Sequence, residues 1–81
     1  MKTHAIPPGG GLLSDVPVAG KVRIAAVEVV ESEKMRLISM GLRKGTELEV
    51  KSNSGKGPLV VALGNSRLAL GRVLARKIRV V

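Results

Sequence analysis

The spacing of apolar residues changes period along the chain, and each change marks an element. From 21 onward Val22, Ile24 and Ala26 alternate with Lys21, Arg23 and Ala25. Alternation of this β-branched kind, opening after Gly20, predicts a strand over 21–30. Beyond it the period lengthens, with Met35, Ile38 and Leu42 recurring at helical spacing. Ser32 is placed to cap that helix, and Glu33 sits in the first turn, where the helix dipole favours an anion. Gly41 is placed to end the helix in the left-handed conformation after about ten residues, with Leu42 folding back on Leu37 or Ile38. Leu37, Ile38, Met40 and Leu42 are expected in the core. Residues 46–51 return to strict alternation, the pattern of a half-buried strand. A loop over 52–58 follows, then two strands, 59–63 and 66–70, flanking Gly64-Asn65 as a tight hairpin. Residues 72–77 suffice for about one and a half helical turns, and 78–81 closes as the last strand.

Ahead of these elements stands Pro7-Pro8-Gly9-Gly10-Gly11. Proline lacks a backbone donor and glycine is conformationally free, so residues 1–12 are expected to form a flexible arm and 13–81 the single folded domain. The expected class is mainly β: a small, partly open barrel of about five strands. One short helix lies between the first two strands and a short helical turn precedes the last.

Composition says what must hold such a barrel together. The 81-residue chain has no cysteine and one histidine, His4, so disulfides are excluded and a structural zinc site lacks ligands. Stability has to come from the 44% hydrophobic residues, which include no Phe, Tyr or Trp. Lys2 is followed by Thr3, His4 and prolines rather than by an apolar leader, and no apolar run approaches the roughly 20 residues that span a bilayer. A cytoplasmic protein is expected, peripheral at an inner membrane at most. The net charge is +8, unevenly spread: residues 1–49 carry seven bases and six acids, residues 50–81 seven bases and no acid. A one-signed half points to an acidic partner surface.

No reactive constellation stands out. His4 lies in the arm with no residue to orient it, and a general base needs fixed geometry. Glu31 and Glu33 fit a helix start; Glu47 and Glu49 share the polar face of a strand, far short of the roughly six oxygens of a hard-cation site. Gly55-Lys56-Gly57-Pro58 lacks the spacing and the following helix of a phosphate loop. The chain is expected to be no enzyme, with no catalytic, cofactor or metal residues.

Four stretches, read in order, resemble the ferrous iron transport protein A (FeoA) family: 13–20 (LSDVPVAG), 36–46 (RLISMGLRKGT), 57–61 (GPLVV), and 66–70 (SRLAL) with Ala75, Ile78 and Val80. The resemblance covers 13–81 and implies an SH3-like barrel. Lys44 stands where the family usually has proline, Gly71 where it has arginine, and Val73-Leu74 where acids are common. The resemblance further implies a cytosolic accessory of ferrous iron uptake, a protein-binding module that modulates a membrane ferrous iron permease with a GTPase domain. An anionic membrane surface is a second expected partner. The expected interface has an apolar centre and a basic rim: Arg67, Arg72, Val73, Leu74, Arg76 and Lys77. The alternative is a basic nucleic-acid-binding barrel, or a stand-alone relative of the C-terminal barrel of iron-dependent repressors. Single-strand binding is disfavoured by the missing aromatic stacking platforms. Proline-peptide grooves need the same rings, which excludes that use of the barrel.

Overall fold

The computed structural model describes residues 11–81. Six strands and two short helices run in the order β1 (Gly11–Leu12), a 3-10 turn (Leu13–Asp15), β2 (Lys21–Val27), α1 (Glu31–Ser39), β3 (Glu47–Ser52), β4 (Leu59–Leu63), β5 (Ser66–Leu70), α2 (Arg72–Ala75) and β6 (Ile78–Val80). The strands form one antiparallel, open sheet in the order β1-β6-β2-β3-β4-β5. The five expected strands are β2 to β6. His4 and the expected arm over residues 1–10 lie outside the described residues. Gly11 and Leu12, expected in that arm, instead pair with Val80 and Arg79 as β1.

β2 joins the two halves. Lys21, Val22 and Arg23 pair with β3, whereas Ile24, Ala26 and Val27 pair with β6. The register shifts between Ile24 and Ala26, so one extra residue enters the strand. The shift corrects the expected alternation: Val22, Ile24 and Val27 are buried, and Ala26 is not. The strand also ends at Val27 rather than at 30, and Val30 caps α1 without a side-chain hydrogen bond. Ser32 therefore lies inside the first turn and does not cap it.

The other end of α1 follows the expected pattern closely. Gly41 has φ 94°; its N–H donates to the Ile38 carbonyl at 2.9 Å, and the Leu42 N–H donates to the Leu37 carbonyl at 2.9 Å. This pair of bonds is the Schellman arrangement, which satisfies carbonyls that the helix end would leave unpaired. Leu37 and Leu42 are both buried in the same apolar cluster. Ile38, Met40 and Met35 are not: they are 38%, 45% and 61% exposed. The expectation that Ile38 and Met40 belong to the core is overturned, because α1 turns only its Leu37 side onto the barrel.

Leu13, Val16, Ile24, Leu42, Val50, Leu59, Val61, Ile78 and Val80 are almost wholly buried. Each such side chain contributes about 1.5–3 kcal/mol relative to exposure. The ion pairs Arg23–Glu47 and Arg79–Glu28 are more than half exposed, and such pairs contribute about 0–1 kcal/mol each. Aliphatic burial thus decides stability. The β4–β5 hairpin closes through Gly64 at φ 56°, with Leu63 opposite Ser66, as a two-residue turn requires.

Between the 3-10 turn and β2 the chain makes a tight turn, with the Gly20 N–H donating to the Pro17 carbonyl at 2.9 Å. Ala19, at its third position, has φ 75°, where an alanine costs about 1–2 kcal/mol. A Cβ at Gly20 would stand 2.6 Å from Val16 Cγ1 and 2.9 Å from the Pro17 carbonyl oxygen. Gly20→Ala is therefore expected to destabilise by about 1–3 kcal/mol, at ~4–8 °C of melting temperature per kcal/mol. Ala19→Gly is expected to act in the opposite direction by a smaller amount, since relief of strain exceeds the roughly 0.5–1 kcal/mol of added chain entropy. Thermal melts followed by circular dichroism check both. An unchanged midpoint for Gly20→Ala would contradict the close approach.

Candidate partner-binding site

The structure places the six residues expected at an interface in different settings. Arg72, at the start of α2, is half-buried and turned into the fold. Its Nε donates to the Gly57 carbonyl at 3.0 Å and its Nη2 to Asn53 Oδ1 at 2.8 Å. A longer bond of 3.4 Å runs from Nη1 to the Ser14 carbonyl. Asn53 Nδ2 in turn donates to the carbonyls of Ser14 and Val16 at 3.2 and 2.8 Å. One guanidinium thus ties α2 to the 53–58 loop and the 3-10 turn. Leu74 is partly buried against the core, while Val73 is 64% exposed. Arg67, Arg76 and Lys77 are exposed and make no ion pair among the described residues.

An apolar groove of about 470 Å³ opens elsewhere, between α1 and β2. Its floor is Ala25, Ala26 and Val27 from the bulged half of β2, with Ile38 and Leu42 from α1 and its exit. The local sequence explains the hollow. The bulge turns two alanines toward a place where larger side chains would fill the space, and α1 stands off because Leu37 alone anchors it. Lys34, Arg43 and Lys44 form the rim. None of the three is in an ion pair among the described residues. The acids on the adjoining segments are Glu28, held by Arg79 at 2.9 Å, and Glu31 and Glu33 in the first turn of α1; none of them lines the groove. An apolar floor with a cationic rim is the anatomy of a protein-binding patch.

The groove adjoins the expected patch. Ala26 and Val27 pair with Arg79 and Ile78, and the Glu28 N–H donates to the Lys77 carbonyl at 2.8 Å. Sequence reasoning placed the apolar centre on Val73 and Leu74 and missed Ile38, whose helical spacing with Met35 marks an apolar face without saying what covers it. Among the described residues no group of three or more His, Cys, Asp or Glu is arranged to hold a metal ion, and no helix is long and apolar enough to cross a membrane.

Comparison with known proteins gives this arrangement a family. The FeoA domain family model matches residues 12–81. The chain belongs to the FeoA domain family. A protein of Methanocaldococcus jannaschii, provisionally named Fe(2+) transport protein A, is 44% identical over 45 residues, 56% of this chain and 54% of the relative. The match thus spans about half the length of that curated relative. Among solved structures, an iron uptake regulatory protein (FeoA) superposes with a TM-score of 0.78 at 28% identity, covering 84% of this chain and 91% of its own. Stenotrophomonas maltophilia FeoA complexed with zinc has a TM-score of 0.74 at 27% identity, covering 86% and 88%. That protein is described as a procaryotic SH3 domain protein and a candidate ferrous iron transport activating factor. The FeoA domain described here has the same SH3-like fold.

The geometry separates two arginines of this FeoA domain that look alike in sequence. Arg72→Ala is expected to cost about 1.5–3 kcal/mol, the range for hydrogen bonds to a charged group, whereas Arg76→Ala should stay within about 0.5 kcal/mol. Urea unfolding of both variants checks this. Equal midpoints would show that the Arg72 contacts contribute nothing.

Proposed function

We propose that this FeoA domain is a non-enzymatic cytoplasmic accessory of ferrous iron uptake, which binds a membrane ferrous iron permease with a GTPase domain and modulates its output. Family membership supports the link to iron transport. The observation that carries the binding role is the α1–β2 groove, an uncovered apolar floor beneath three cations. Its lining is aliphatic and cationic, with no nucleophile and base within reach of each other, so it is suited to hold a partner's side chains rather than to transform a substrate. The basic rim also suits work beside an anionic leaflet, where each nearby cation adds about 1 kcal/mol of attraction. Arg67, Arg76, Lys77 and Val73, all exposed, are further candidate contacts in this reading.

The test uses the permease in proteoliposomes. Adding this domain is expected to change GTP hydrolysis and ferrous iron uptake, and the domain should co-purify with the permease's cytosolic portion. Ile38→Glu places a charge on the groove floor at an exposed position, so it should weaken that association at least ~10-fold, the effect of about 1.4 kcal/mol, with little change in melting temperature. Unchanged transport with no association would overturn the proposal.

A further inference from the structure

The groove's charge describes its occupant. We infer that the α1–β2 groove takes a short segment that offers aliphatic side chains flanked by carboxylates, an acidic-apolar peptide rather than a neutral one. This rests on the reading of the groove as the partner site and names the chemistry that the partner must bring.

Three features together carry the inference. The groove's volume, about 470 Å³, lies within the range of about 300–1,000 Å³ typical of built ligand sites. Its floor is wholly aliphatic, and Ile38 within it is 38% exposed, so apolar surface is left for a partner to cover. Its rim carries Lys34, Arg43 and Lys44, which make no ion pair among the described residues; of the acids next to them in the chain, Glu28 is held by Arg79, and Glu31 and Glu33 sit in the first turn of α1, where the helix N-terminus favours an anion. The α1 dipole accounts for cations just past the helix C-terminus, where Arg43 and Lys44 stand. It does not account for Lys34, which lies in the N-terminal half of the helix, nor for the uncovered isoleucine. A neutral apolar segment would satisfy the floor but bring three cations against uncharged groups. An acidic-apolar segment satisfies both and is steered to the groove by the field around it.

Fluorescence anisotropy with short labelled peptides tests this on the full chain. One peptide mixes Leu with Asp and Glu, and its counterpart replaces them with Asn and Gln. The acidic peptide should bind roughly tenfold or more tightly than the amide counterpart, and the preference should shrink at about 0.5 M salt, where the Debye length falls to several ångströms. The double change Lys34→Glu with Lys44→Glu should abolish or reverse the preference. Ala26→Leu, which fills the floor, should weaken both peptides alike. Should that variant fail to fold by circular dichroism, the charge variant decides alone.

Equal binding of the two peptides, or a preference that the charge variant leaves intact, would overturn the inference. So would tight binding to phosphatidylserine vesicles with no discrimination between peptides, since the rim would then serve a membrane. Association with the permease without any peptide preference would sink this inference and leave the transport reading standing. Peptide preference without any effect on the permease would do the reverse.

Discussion

One strand belongs to both halves of this barrel, and nearly everything else is placed by how that strand is built. Residues 21–23 of β2 hydrogen-bond to β3, and residues 24–27 to β6. At the crossing, Ile24 is 99% buried, takes a hydrogen bond on its carbonyl from Gly45 at 2.7 Å, and donates its N–H to Thr46 at 2.9 Å. The strand therefore holds the exit of α1 as well as the two halves of the sheet. Strands cannot serve two partners at an angle without local bending, and an inserted residue supplies it. The bulge beside Ala25 and Ala26 is thus a requirement of barrel geometry, and the groove is a consequence of putting small residues there.

The absence of aromatic residues sharpens that dependence. A core made of Leu, Ile and Val fills space in small units, so no single ring spans the barrel and bridges distant walls. Close approaches such as Gly20 against Val16 then become the means of shrinking the interior to a volume that aliphatics can fill. The polar counterpart is Arg72. Its bonds to Gly57, Asn53 and Ser14 join the 53–58 loop to the 3-10 turn. With aromatics missing, a guanidinium takes over part of the task of joining segments far apart in sequence.

Much of this was legible from residue order. The hairpin around Gly64-Asn65, the left-handed Gly41 and the alternating β3 all follow from local rules, in which one or two residues determine the backbone. The bulge was not legible, because Ala25 and Ala26 are equally small and either could be the inserted residue. α1 shows a different failure. The stripe Met35, Ile38 faces one direction and Leu37 another, and only packing decides which direction meets the barrel. The internal bonds of Arg72 are hidden from the sequence for a related reason: its partners are backbone carbonyls and an amide, which no charge pattern reveals. β1 has no signature in the sequence, because two residues beside a run of glycines carry no period at all.

The charge asymmetry takes a different meaning once side chains are placed. Of the seven cations after residue 50, Lys51 meets Glu49 at 3.4 Å, Arg79 meets Glu28, and Arg72 is absorbed by carbonyls. Lys56, Arg67, Arg76 and Lys77 stay without ion pairs among the described residues, spread over a loop, a hairpin and the end of α2. The nearly balanced N-terminal half, by contrast, gathers Lys34, Arg43 and Lys44 around one hollow. A field acts on a partner through local density rather than through totals along the sequence. The half of the chain with the smaller net charge therefore holds the more directed electrostatic feature, because folding set three of its cations around apolar ground while Glu28 is held by Arg79 and none of its acids lines the hollow.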